Sequence, residues 1–173
     1  MKHCILRLLL LLACQCWALC LQWQTVFAQD IHGEHVFQCE RSTNSNYICY
    51  DINLQPDGKL NLKEPLKSYW VLDEETRTEG LTFLDRKMAF GIKVLSRGDN
   101  EASVHMTAYK DLVIRICQRK GKWVGLVEVN GHEMVLQKIF AQMKPPMGIR
   151  CEYVNIHGTG LNTGEKRIER ITP

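Results

Sequence analysis

The chain carries eight cysteines yet has no Cys-x-x-Cys pair, the spacing that a zinc knuckle or a thioredoxin-like redox centre requires. It also lacks a Gly-x-Ser-x-Gly elbow and a His-Glu-x-x-His helix, so the common hydrolase signatures are missing. No apolar run reaches the roughly 20 residues needed to span a bilayer: the longest stretch, near the start, is interrupted by Gln15 and ends near Gln22. Proline is scarce, five residues in 173, and there is no proline-rich linker, repeat or low-complexity tract to divide the chain. Charge of one sign is lacking too. With 22 Lys and Arg against 19 Asp and Glu, the chain has no global attraction to nucleic acid or to an anionic membrane.

What is present begins with an export signal over residues 1–28. Lys2 and Arg7 give a positive start, LLLLLACQCWALCL an apolar run, and Val26-Phe27-Ala28 a cleavage site before Gln29. Acylation at Cys14 is the weaker alternative, because QCWALCLQW would be a greasy mature start. The expected product is secreted or periplasmic, a single β-rich domain over residues 29–173, able to bury roughly two thirds of the surface its unfolded chain exposes. Cleavage would remove two basic residues and no acid, leaving a net charge near +1, and would leave Cys39, Cys49, Cys117 and Cys151. Four cysteines allow three disulfide connectivities.

From Gly91 onward, short alternating runs are separated by turn residues, the periodicity of strands. In VEVNGHEMVL the Asn130-Gly131 pair predicts a type I′ hairpin with Val129 facing His132, Val127 facing Met134 and Leu126 facing Val135. Lys120-Gly121 predicts another that brings Cys117 opposite Val124, so strands near 112–119, 122–129 and 132–142 form an antiparallel meander. A Gly98-Asp99 turn and a closing hairpin after Cys151 follow the same pattern, and earlier strands are expected near 36–41, 47–54 and 67–72. One short helix is expected in LTFLDRKMAFG, with Leu81, Leu84 and Met88 inward and Asp85, Arg86 and Lys87 in water. The fold class is therefore mainly β: an antiparallel sandwich or partly open barrel of about eight to ten strands with one short helix.

The stretch ERSTNSNYICYDIN reads as a hairpin with a three-residue tip over Thr43–Ser45, which would set Cys39 opposite Cys49 as a disulfide candidate. His32 and His35 in HGEH could ligate a metal only if another ligand converged, and a solvated, frayed terminus is the plainer reading. GTGLNTG has too little chain after it for a dinucleotide fold and reads as a turn. Arg97-Gly98-Asp99 matches an adhesion tripeptide but also makes an ordinary hairpin tip. Lys110, Arg115, Arg119, Lys120 and Lys122 with Trp123 could form a basic strip with an aromatic platform of the kind that binds nucleic acid, but export and the small net charge favour a solvated sheet face.

In order along the chain, FQCERSTNSNYICYDINL, PLKSYWVLDEE, LTFLDRKMAFGIKV, TAYKD, VNGHEMVLQKIFAQ and YVNIHGTGLNTGEKRIERITP resemble a bacterial secreted family catalogued as domain of unknown function 4833. The family's pattern falls here on Arg41 and Ser42, on Tyr50, Asp51 and Asn53, on Tyr69 and Trp70, on Arg86, on Ala89 to Gly91 and on Gly158 to Gly164. Cys39, Cys117 and Cys151 depart from it. The resemblance implies no activity, ligand or catalytic residue.

Two function classes are carried forward. The first is a non-enzymatic binding or structural module of the cell envelope. In it Arg41, Asp51, Tyr69, Trp70, Arg86 and Tyr109 line one concave patch, the arginines for anionic groups and the aromatic faces for sugars or flat apolar surfaces. Its partner would be an envelope protein or a glycan, with no nucleic acid, no stable membrane span, no cofactor and no metal. The alternative is a hydrolase whose site is assembled from distant strands, such as Asp51 with a histidine.

Overall fold

The computed structural model describes residues 33–72, 75–145, 148 and 150–172. The expected export segment and His32 lie outside them. Eleven strands, β1 (His35–Arg41), β2 (Tyr47–Ile52), β3 (Leu66–Leu72), β4 (Arg77–Gly80), β5 (Ile92–Arg97), β6 (Ala102–Met106), β7 (Tyr109–Arg119), β8 (Lys122–Val129), β9 (His132–Met143), β10 (Cys151–Gly160) and β11 (Lys166–Ile171), join in one sheet. Between β4 and β5 lies a short helical turn, α1 (Phe83–Asp85), running directly into a π-turn over Arg86–Phe90.

The long strand β9 is the spine. One of its edges carries β10, antiparallel, from Met134 to Met143. The other is shared: β8 pairs antiparallel with His132–Val135, and β1 pairs parallel with Lys138–Ala141. From that shared edge two wings spread, β1-β2-β3-β4 and β8-β7-β6-β5, and the sheet curls into a half-barrel. The mainly β expectation with one short helix holds, but the sheet is mixed because β1 runs parallel to β9.

The hairpins obey local chemistry. Lys120, Gly121, Asn130 and Gly131 all have positive φ, the signature of type I′ turns, whose twist matches that of the strands they join. The pairs Val129 with His132, Val127 with Met134, Leu126 with Val135 and Cys117 with Val124 are those expected. Alternation then buries Val104, Ile114, Ile116 and Val127 in one core with Phe37, Ile48, Tyr50, Met134 and Ile156. Both wings thus pack on a common interior. At its centre the Phe37 and Tyr50 rings stack with centroids 4.4 Å apart.

Three expectations are corrected. Cys39 pairs with Ile48, and Cys49 pairs with Gln38, so the two thiols point to opposite faces and all four described cysteines are free. The reason is nonlocal: the Ser42 amide donates to the Ala141 carbonyl and the Ser42 hydroxyl accepts from the Met143 amide. These bonds extend the β1–β9 ladder into the turn and shift the tip by one residue, which reverses side-chain facing. The HGEH segment is not a frayed end where it is described. The Glu34 carbonyl accepts from the Ile52 amide and its carboxylate from the Trp123 amide.

The third correction concerns the helix. Leu81 and Phe90 are buried, whereas Leu84 and Met88 are 64 % and 67 % exposed. Thr82 and Asp85 form a reciprocal capping box that sets the entry angle of the turn. The next turn closes from the Gly91 amide to the Arg86 carbonyl, a wider turn that rotates the apolar positions away from an α-helical stripe. Gly91 is required there, since a Cβ would collide with the Arg86 carbonyl oxygen.

Candidate functional site

The helical segment bridges the mouth of the half-barrel. On the β3 side, the Trp70 indole donates to the Asp85 carboxylate at 3.3 Å. Burial opposes ionisation of Asp85, but hydrogen bonds from Thr82 and Trp70 and the charge of Arg41 outweigh it and hold the carboxyl below its ordinary range. On the far side, the Ala108 amide donates to the Ala89 carbonyl at 2.9 Å, and the Thr107 hydroxyl reaches the carbonyls of Arg86 and Gly91. From the floor, the Tyr50 hydroxyl donates to the Phe90 carbonyl at 2.9 Å. The segment is a lid held on three sides.

Beneath it is a cavity of about 440 Å³, walled mainly by apolar side chains including Met88, Phe90, Met106, Ile139, Met143 and Val154. Arg41 and Tyr109 also line it. The Arg41 guanidinium carbon lies 5.5 Å from the Trp70 ring centroid and 5.2 Å from that of Phe90, and these two rings meet edge to face. The stacking holds a planar cation at the wall of an apolar space. Two thiols complete the lining, Cys39 and Cys151. Burial pushes Cys39 up to about 12 and raises Cys151 as well, so it disfavours the thiolate at both.

On the opposite face of β2 lies a second constellation. Asp51, 1 % exposed, pairs in register with His35 of β1, and its carboxylate lies 3.0 Å from the His35 Nδ1. The Tyr69 hydroxyl donates to the other carboxylate oxygen at 2.7 Å. The hydrogen bonds of His35 to Asp51 and Cys49 raise its pKa to about 9 against the opposing effect of burial. Tyr69 is kept protonated by burial and by its bond to Asp51.

The family is shown by a match over most of the chain: the model described as Domain of unknown function (DUF4833) matches residues 37–170. The chain belongs to that family. No curated protein and no solved structure matches it.

Within this DUF4833 chain, the six residues expected in one patch fall in three places. Arg41, Trp70 and Tyr109 are at the cavity and its wall. Arg86 lines a separate groove on the other side of the lid. Asp51 and Tyr69 lie on the opposite sheet face, because each directly neighbours a residue, Tyr50 or Trp70, whose side chain points inward, and successive side chains alternate. Sequence reading missed Phe90 and Asp85 beside Arg41, and expected a histidine beside Asp51 without naming it as His35. Strand alternation could have separated Asp51 from Trp70, but the pairing of Arg41 with Phe90 has no local signal.

Proposed function

We propose that the protein is exported and acts as a non-enzymatic binding module whose half-barrel cavity takes a ligand with an apolar body and an anionic end. The observation that carries this reading is the guanidinium of Arg41, held over Trp70 and Phe90 at the wall of the apolar cavity. An apolar space with few polar groups suits a small amphiphile, with Arg41 orienting its charge and Tyr109 supplying a hydroxyl. The sequence of residues 1–28 supports export, to a compartment where such a ligand would be an envelope or extracellular molecule.

Dansyl-labelled undecanoate tests it. Its emission is expected to rise on binding, and Arg41→Ala to weaken that binding about tenfold, the loss of one charge-assisted contact. Absence of binding, or equal affinity for the uncharged methyl ester, overturns it. The hydrolase alternative draws on the imidazole of His35 oriented by Asp51. It predicts ester hydrolysis that Asp51→Asn abolishes, and equal rates for the two proteins remove it.

A further inference from the structure

The lid exposes three large apolar side chains to solvent among its charged ones. Phe83, Leu84 and Met88 are 78 %, 64 % and 67 % exposed, three large side chains within six consecutive positions. The orientation is imposed. The capping box of Thr82 and Asp85, the Trp70 bond to Asp85 and the buried Phe90 all fix the turn with these residues outward. Contiguous exposed apolar groups of this kind mark a contact surface.

What surrounds them identifies the partner. Phe83 stands at the rim of an open groove of about 350 Å³ to which Lys63, Arg86, Lys87 and Lys93 contribute, against one acid, Glu64. The four cations are all exposed, and the Lys87 ammonium lies 5.8 Å from the Phe83 ring. Apolar side chains bordered by cations on the Phe83 side match the boundary between acyl chains and phosphate headgroups. A chain that is close to neutral overall thus carries a local basic groove beside the apolar lid.

We infer that the lid is a docking surface for an anionic lipid bilayer, with Phe83, Leu84 and Met88 entering the interface and Lys63, Arg86, Lys87 and Lys93 meeting the headgroup phosphates. Met88 also lines the cavity, so docking sets the mouth of the half-barrel against the membrane. The inference goes beyond the binding proposal and does not require that the cavity be occupied.

The test is co-sedimentation of the full chain with vesicles of phosphatidylglycerol and phosphatidylcholine, or of phosphatidylcholine alone. Two variants are compared: Phe83→Ser with Leu84→Ser, which leaves the cavity lining intact, and Lys63→Glu with Lys87→Glu and Lys93→Glu. Residues 1–28 are common to all, so any difference belongs to the lid. The serine variant is expected to bind at least about tenfold more weakly to anionic vesicles. The charge-reversed variant is expected to lose about fivefold or more per charge on anionic vesicles, with little change on neutral ones. Unchanged melting temperatures confirm that the substitutions act at the surface, and Leu84→Ser alone replaces the pair if it fails to fold. Wild-type protein that ignores anionic vesicles, or variants that bind them as well as wild type, overturns the inference and assigns the face to a protein partner. Dansyl-undecanoate binding in vesicle-free buffer reports the cavity separately: loss of vesicle binding with retained probe binding separates the two readings, and so does the converse.

Discussion

The buried hydroxyl of Tyr50 donates to the carbonyl oxygen of Phe90 at 2.9 Å, tying the floor of the half-barrel to its lid. Phe90 is 7 % exposed, so removing the donor leaves a carbonyl with little access to water. Tyr50→Phe keeps the ring stacked on Phe37 and is expected to cost about 1–3 kcal/mol in urea unfolding, the cost of an unsatisfied buried acceptor. Amide exchange over residues 83–91 should quicken more than in β7 or β8. An unchanged urea midpoint would show that the bond does not hold the lid.

The raised His35 pKa makes stability depend on pH. A group whose folded pKa lies above its unfolded value stabilises fully below about 6.5 and loses that contribution as pH rises through about 9. The difference in melting temperature between wild type and His35→Gln should therefore shrink from pH 6.5 to above pH 9. The effect is modest because the His35 side chain is 47 % exposed and solvent screens it. A difference that grows over that window would contradict the pairing with Asp51.

Two glycines separate backbone cost from crowding. Gly131 has φ of 78° and open space where a Cβ would stand, so Gly131→Ala should cost about 1–2 kcal/mol, purely conformational. At Gly158 a Cβ would meet the Val135 carbonyl oxygen, with the Met134 Cβ at 3.1 Å, and Gly158→Ala should cost about 1–3 kcal/mol through displacement of β9. Urea unfolding measures both. Only Gly158→Ala should perturb the amide spectra of Met134 and Val135.

Cys39 lies opposite Ile48, and no disulfide joins the described cysteines. Cys39, Cys49, Cys117 and Cys151 should each react with a maleimide when the native protein is denatured without reductant. Protection of Cys39 and Cys49 together would mean that the β1–β2 register is one residue away from the one observed.

Reading the residues in order reveals most of the strands and little of the site. Asn130-Gly131 and Lys120-Gly121 specify their hairpins because the positive φ of the turn and its two-residue length set register over a few positions. Arg41 stands out in the sequence as a charge the β1–β2 turn does not require, and Trp70 through the family pattern. Their meeting with Phe90 and Asp85 depends on how the lid crosses from one wing to the other, and Tyr50, Thr107 and Ala108 help to hold that crossing.

The sequence by itself determined the mainly β class, the pairings across the Lys120-Gly121 and Asn130-Gly131 hairpins and the position of the helical break, because each rests on interactions between residues close in the chain. The tertiary structure decided the Cys39 register, the face on which Asp51 meets His35, the outward turn of Leu84 and Met88, and the cavity beside Arg41. These depend on the parallel pairing of β1 with β9 and on a lid spanning two wings. Such contacts join distant segments, and their geometry follows from packing, not from local backbone preference.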